Sequence, residues 1–197
     1  MRNSCLTTFL AVFLCLFLSA CGGLRYSKCA PDAETFHPRN IAVLSVNAGP
    51  YEEEGGRAEK IITEVLEESG WFETVLSPGS IAERIKADIS FAKIVEEYLL
   101  KLEKVSFSDP DLSRRIAADI GVDAFLIARV NFWQYTVNKK KKEIAKVGFG
   151  MNLIDTSTGK ILWTCEHHEA EGYLIMKPDL DGVAEKVVKK MIDEMPH

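Results

Sequence analysis

Several clusters in this chain approach a catalytic or ligand-binding pattern, and each lacks a partner that the chemistry needs. Ser90-Phe91-Ala92-Lys93 has the Ser-x-x-Lys spacing in which a lysine amine serves a serine nucleophile, but no Ser-Asp-Asn or Lys-Thr-Gly sequence accompanies it. His167 and His168 are adjacent on an expected strand, so their side chains point to opposite faces and do not share one metal. Asp179-Leu180-Asp181-Gly182 begins like a calcium loop, but the third acidic position and the closing glutamate are missing. Gly49 to Gly56 lies between an expected strand and helix, where phosphate-binding loops occur. It lacks the Gly-Lys-Ser/Thr ending and carries Glu52, Glu53 and Glu54, which repel phosphate. The expectation is of no catalytic residues, no metal and no cofactor.

One side chain does have its chemistry specified by its surroundings. Arg2 is the only charge before an apolar core from Phe9 to Leu18, and Leu18-Ser19-Ala20-Cys21-Gly22-Gly23 follows. A short apolar core ending in small residues is a secretory signal, too short to span a bilayer comfortably. Its ending resembles the lipobox of bacterial lipoproteins. The resemblance implies a diacylglyceryl group on the Cys21 thiol, cleavage before Cys21 and acylation of the new amino terminus. Residues 1–20 are then a signal peptide. In the sorting rule common to such proteins an aspartate after the cysteine retains them in the inner membrane. Gly22 in that place implies the outer membrane, on its periplasmic face.

The formal charge of −5 falls by one more when Arg2 leaves with the signal, and the charges are mixed along the chain with no extended basic stripe, which argues against nucleic acid as a partner. Of the five cysteines, Cys5 and Cys15 leave with the signal and Cys21 takes lipid. Cys29 and Cys165 remain in an oxidising compartment, where they form either a disulfide or two free thiols, Cys165 in a strand and Cys29 in a linker.

The elements that must position these residues follow from periodicity. Residues 22–40, with Gly22, Gly23, Pro31 and Pro38, read as a tether whose full reach is about 65 Å. Residues 41–197 then form a single α/β domain of a size that buries a real core. Ile41 to Val46 is a continuous apolar run expected of a strand covered on both faces. Arg57 to Ser69 has helical spacing and Gly70 is placed to end it. Trp71 to Leu76 is a short strand, and Ser80 to Ala87 and Phe91 to Val105 are helices. Asp109-Pro110 caps a further helix that Gly121 stops. Ala124 to Val137, Ile144 to Ile154 and Lys160 to Glu169 form a three-stranded antiparallel meander, turning at Asn138 to Lys142 and at Thr156 to Gly159. Pro178 to Met195 is a final amphipathic helix with Asp181 as N-cap. The fold class is thus a mixed β-sheet with a C-terminal meander and helices packed on it. Along the first meander strand Arg129, Asn131, Trp133 and Tyr135 alternate. Regular pleating would project them from one face, either as a polar and aromatic partner surface or, for Trp133 and Tyr135, as packing beneath a helix.

The first strand after a short tether, the passage Ile116-Ala117-Ala118-Asp119-Ile120-Gly121-Val122-Asp123-Ala124-Phe125-Leu126-Ile127, and the hairpin Leu153-Ile154-Asp155-Thr156-Ser157-Thr158-Gly159-Lys160-Ile161-Leu162-Trp163 together resemble a superfamily of periplasmic lipoproteins. It includes the curli-secretion lipoprotein CsgG and the lipoprotein activators of penicillin-binding proteins. The hairpin also resembles one in the amino-terminal domain of the Tol-system propeller protein. The resemblance implies a lipid-anchored recognition domain that binds an envelope protein, or alternatively a homo-oligomeric structural or secretion-accessory lipoprotein; an enzyme acting on envelope material is a lesser alternative that the resemblance does not supply. Two departures matter. The turn of four lysines at 139–142 is a poor membrane-crossing hairpin, and the tether is too short to cross the periplasm.

Overall fold

The computed structural model describes residues 24–197, so the signal, Cys21 and the first residues after it lie outside the described residues. Six strands form one open mixed sheet in the order β1-β6-β5-β4-β2-β3, comprising β1 (Tyr26–Cys29), β2 (Asn40–Asn47), β3 (Thr74–Leu76), β4 (Ala124–Val137), β5 (Glu143–Asp155) and β6 (Ile161–Gly172). β2 runs parallel to β3 and β4, whereas β4, β5, β6 and β1 are antiparallel in succession. The expected mixed sheet and meander are both present.

Five α-helices pack on it: α1 (Gly55–Ser69), α2 (Pro78–Ala87), α3 (Ile89–Val105), α4 (Pro110–Ile120) and α5 (Leu180–Ile192). Their ends are written locally. The Asp88 carboxylate accepts from the Ser90 and Phe91 amides at 2.8 and 3.1 Å to start α3, and Asp109 accepts from Asp111 and Leu112 at 3.0 and 3.2 Å to start α4. Gly70 and Gly121, at φ 67° and 72°, end α1 and α4 in the left-handed conformation that side chains disfavour. The cap of α5 is Asp179, not the expected Asp181. Its side chain accepts from the Asp181 amide, and so the cap sits two residues earlier relative to the apolar stripe.

Two cores lie on opposite faces of the sheet. On one face α1 and α5 cover Ile41 and Val43 of β2, Leu126 of β4, Phe149 and Leu153 of β5 and Trp163 of β6. On the other, α2, α3 and α4 cover Ala42 and Leu44 of β2, Phe125 at the start of β4 and Ile154 at the end of β5. β2 is therefore buried on both sides, as its unbroken apolar run requires. The second helical layer stops short: beyond Ile127, the far half of the meander has no helix over that face among the described residues.

The stretch expected to be tether is part of the fold from residue 24 onward. Tyr26 to Cys29 pair with Glu166 to Trp163 as an antiparallel edge strand, and the Trp163 indole donates to Ser27 Oγ at 3.1 Å. A strand of four exposed residues has no alternation to betray it, because it is held by main-chain hydrogen bonding to β6 and not by burial of its side chains.

Candidate functional site

The row Arg129, Asn131, Trp133 and Tyr135 does not share one face. The pairing of β4 with β5 runs Val130 to Phe149 and then Phe132 to Gly148, leaving Asn131 as an extra, bulged residue. The inserted residue reverses the alternation, so Arg129 lies on the helix-free half-face and Trp133 points into the core beneath α1 and α5. Trp133 is 4% exposed, meets Phe149 edge-on at 6.1 Å, and lies under the Arg57 guanidinium at 5.7 Å. Its place in a partner surface is therefore overturned in favour of packing. Tyr135 is on the same side as Trp133 but farther out, and its hydroxyl donates to the Pro178 carbonyl at 2.8 Å.

What the bulge assembles instead is a surface on the helix-free half-face. Arg129 pairs with Glu166 of β6 and its Nε donates to Asn131 Oδ1 at 2.9 Å. The side chain lies flat because Gly150 is beneath it: a Cβ there would stand 3.0 Å from Arg129 Nε. One pleat along, Gly148 leaves room for Phe132 and His168, since a Cβ would stand 2.5 Å from His168 Cβ and 3.1 Å from Phe132 Cδ2. Phe132 and His168 meet edge-on at 5.3 Å, and the Lys146 ammonium sits 3.2 Å from the Phe132 ring centroid. Burial, together with the charges of Arg25, Lys146 and His167, holds the His168 imidazole below the ordinary histidine range. Burial followed by Arg25 likewise lowers the Lys146 ammonium. Between this surface and the end of α3 runs an open groove of about 330 Å³, lined among others by Ser45, Asn47, Glu103, Arg129 and Asn152.

Sequence reasoning reached Arg129 and Asn131 but missed Phe132, Lys146, Glu166 and His168. The signal that could have found them is Gly148-Phe149-Gly150 inside a strand, since paired glycines one pleat apart mark a place where other side chains must lie close to the backbone. His167 does point away from His168, as adjacency on a strand demands. It is buried, and its Nε2 lies 2.9 Å from Glu169 Oε1. Among the described residues no three His, Cys, Asp or Glu side chains are grouped to hold a metal. Gly49 to Glu54 is a 3-10 turn leading straight into α1.

The residues that carry the family resemblance are fasteners of the fold. Asp155 accepts from the Ser157 amide and hydroxyl, both at 2.8 Å, and from Thr158 Oγ1 at 2.6 Å, which folds the β5–β6 turn. Thr156 Oγ1 donates to the Asp123 carbonyl at 2.8 Å, and the Asp123 carboxylate accepts from the Arg39 and Asn40 amides at 3.0 and 2.9 Å where β2 begins. The two cysteines are both free thiols, Cys29 exposed and Cys165 buried. The register sets Ser27, not Cys29, opposite Cys165. A diagonal pair has Cα atoms about 7–8 Å apart, beyond ordinary disulfide reach. Burial, with Glu194 and Glu166 nearby, pushes the Cys165 thiol up to about 12.

No protein-family model and no curated protein matches this sequence. Among solved structures, lipoprotein GNA1162 from Neisseria meningitidis is 18% identical with a TM-score of 0.43, covering 78% of this chain and 96% of its own. The C-terminal domain of LpoB from Escherichia coli is 13% identical with a TM-score of 0.32, covering 69% and 86%. PelC from Paraburkholderia phytofirmans, solved as a dodecamer, is 16% identical and covers 87% of this chain and 95% of that one, with a TM-score of 0.54. The chain thus shares with PelC a fold that extends over nearly the whole length of both.

Proposed function

We propose that this protein is a lipid-anchored, non-enzymatic module of the bacterial cell envelope, held through Cys21 at the periplasmic face of the outer membrane, that uses its helix-free sheet face to bind another envelope protein. The observation that carries the recognition role is the half-face itself: Arg129, Phe132, Lys146, Glu166 and His168 stand on three hydrogen-bonded strands with no helix packed over them among the described residues. Side chains fixed on a rigid sheet lose little freedom on binding, and arginine and aromatic groups are enriched where interfaces draw their energy. The lipid anchor is supported by Leu18-Ser19-Ala20-Cys21, and the domain type by the hairpin and helix-to-strand passage that resemble the CsgG superfamily.

A second reading has its own support. PelC, which has this fold, was solved as a dodecamer, so the partner that covers the half-face is on this reading another copy of the chain. The experiment that tests both is a mass measurement on protein extracted from native membranes in mild detergent, with wild type beside Arg129→Glu. A complex that contains a second polypeptide and is lost in the variant, with an unchanged melt, supports the adaptor. A homo-oligomer lost in the variant supports self-assembly, and a monomer that is the same in both would sink both readings.

A further inference from the structure

Three features far apart in sequence meet at the hairpin end of the meander. Val137 and Glu143 close the β4–β5 turn, Gly172 stands opposite Ile144, and the Tyr173 amide donates to the Glu143 carbonyl at 3.2 Å. The β4–β5 turn and the β6–α5 loop therefore leave the sheet at the same end. The turn carries Lys139, Lys140, Lys141 and Lys142, all exposed and none with an ion-pair partner among the described residues, while many lysines elsewhere are paired. The loop carries Leu174, Ile175 and Met176 at 93%, 98% and 85% exposure. Three consecutive apolar side chains left almost wholly in water mark a contact surface, not a packing accident.

The loop is held out by its base. Tyr135 meets Tyr173 edge-on at 5.9 Å, donates to the Pro178 carbonyl, and has the Lys177 ammonium 4.9 Å from its ring centroid. The third feature is the direction of the chain. β1 runs antiparallel to β6 with Tyr26 opposite Glu166, and the Arg25 amide donates to His167 Nδ1 at 3.3 Å. Followed toward the amino terminus, the backbone heads along β6 in the direction of Gly172. Cys21 is four residues before Arg25, a reach of about 14 Å. Five strand residues, the interval from His167, which stands level with Arg25, to Gly172, span about 17 Å. Fully extended in that direction, those four residues would leave a lipid on Cys21 within about one residue of the level at which the lysines and the apolar loop project.

From this convergence we propose that the hairpin end is a bilayer-contact surface in which Leu174, Ile175 and Met176 enter the acyl-chain boundary while Lys139 to Lys142 engage anionic phospholipid headgroups. The occupant is a membrane, not a protein groove, because an apolar tip and unpaired positive charge coincide at the end toward which the chain before Arg25 is directed, in a chain whose net charge is negative. Lysines near an anionic surface are attracted over about a Debye length, and short apolar insertions add to an acyl anchor. Lysines too polar to cross a bilayer are well placed at its headgroups. The arrangement would fix how the domain stands on the membrane, with β4, β5 and β6 rising from it. This rests on reading Cys21 as the lipid attachment site, and the test separates the two.

The test uses the mature lipid-modified protein, reconstituted into equimolar phosphatidylcholine and phosphatidylglycerol vesicles containing acyl-chain-brominated lipid, with Ile175→Trp compared against wild type, whose emission comes from Trp71, Trp133 and Trp163. Ile175 makes no core contact, so the substitution leaves the fold alone. The added emission should be blue-shifted and lose most of its intensity to the bromines. Replacing Lys139 to Lys142 by glutamine in the same protein should weaken that quenching and remove its salt dependence. Mass spectrometry of the amino-terminal peptide reports the lipid independently. Lipid present with residue 175 unquenched would overturn the contact surface and point to a protein partner at the loop, leaving the anchor standing. Quenching without lipid would support the contact surface and overturn the anchor, and quenching indifferent to the lysine replacements would overturn the role given to the turn.

Discussion

Gly159 and Cys165 show how differently two residues can be constrained. Gly159 has φ +70°, and a Cβ on it would stand 2.9 Å from Pro110 Cα and 3.0 Å from the Ser108 carbonyl, because the β5–β6 turn packs on the loop that enters α4. Gly159→Val should therefore cost at least about 2–3 kcal/mol, the left-handed strain and the backbone collision acting together, and a thermal melt would read it. A melt within experimental error of wild type would show that the turn can move away from Pro110. For the thiols, a maleimide applied to the native protein should modify Cys29 and leave Cys165 untouched until the chain is unfolded. Cys165 is buried and its thiol is held near 12 by that burial first, so almost no thiolate exists near neutrality.

His168 gives the pH dependence its sign. Its imidazole is held below its ordinary value of 6.5 by burial and then by Arg25, Lys146 and His167, with Glu169 pulling the other way. The unfolded chain thus takes up the proton first as pH falls, so stability is full above about pH 6.5 and declines below it until the native value is passed. Melting temperatures measured from about pH 7.5 to pH 5 should fall more in wild type than in His168→Gln. Equal slopes would mean that His168 titrates freely. Neither the strain at Gly159 nor the His168 environment is visible in the sequence beyond a glycine in a turn and a histidine in a strand. The neighbours that decide both, Pro110 in one case and Phe132 with Lys146 in the other, come from other segments.

At the scale of elements, the helix start at Asp109 and the stops at Gly70 and Gly121 are legible because a cap is satisfied within four residues of itself. The meander is legible for the same reason, since its turns carry their own chemistry in Asp155 to Gly159 and Asn138 to Lys142. The bulge at Asn131 is not: whether a residue is paired or extruded depends on the register of β5, and no local preference announces it. Its consequence is a stability prediction where a regular strand would imply a binding one. Trp133→Ala should lower stability by about 3–5 kcal/mol, as for other buried large-to-small changes, whereas Arg129→Ala should leave the melt almost unchanged. A collapsed melt in Arg129→Ala with a normal one in Trp133→Ala would reverse the assignment of the two faces. β1 is a second illegible element. A chain that begins at residue 38 loses the strand covering the β6 edge, and with it the Ser27 acceptor of the Trp163 indole. It should melt lower and aggregate more readily than a chain that begins at residue 24.

At the scale of the whole molecule, attachment and orientation are separate questions. Cys21→Ser should abolish incorporation of labelled fatty acid and either leave an unprocessed precursor or remove firm attachment to the membrane. The apolar loop at Leu174 to Met176 is a supplement of three side chains, not an anchor. Equal label in wild type and variant would end the lipoprotein reading. No helix among the described residues is long and apolar enough to cross a membrane.

The expectation of a signal and a lipidation position at Cys21 rests on local strings of the kind that processing machinery reads from an unfolded chain, and the strand, helix and turn types follow from periodicity and caps within a few residues. Of these, the sequence by itself determined the element types. Only the tertiary structure decided that Arg129 and Trp133 face opposite ways, that Gly148 and Gly150 seat the side chains of neighbouring strands, and that residues 26–29 close the sheet edge. It alone brings the lysine turn and the Leu174–Met176 loop to one end, and directs the chain before Arg25 toward it. Each of these depends on strand order and register, which are set by pairings between residues as much as 140 positions apart. Such pairings are chosen by the collective burial of two cores and by the closing of main-chain hydrogen bonds, and no single segment contains the information to choose them.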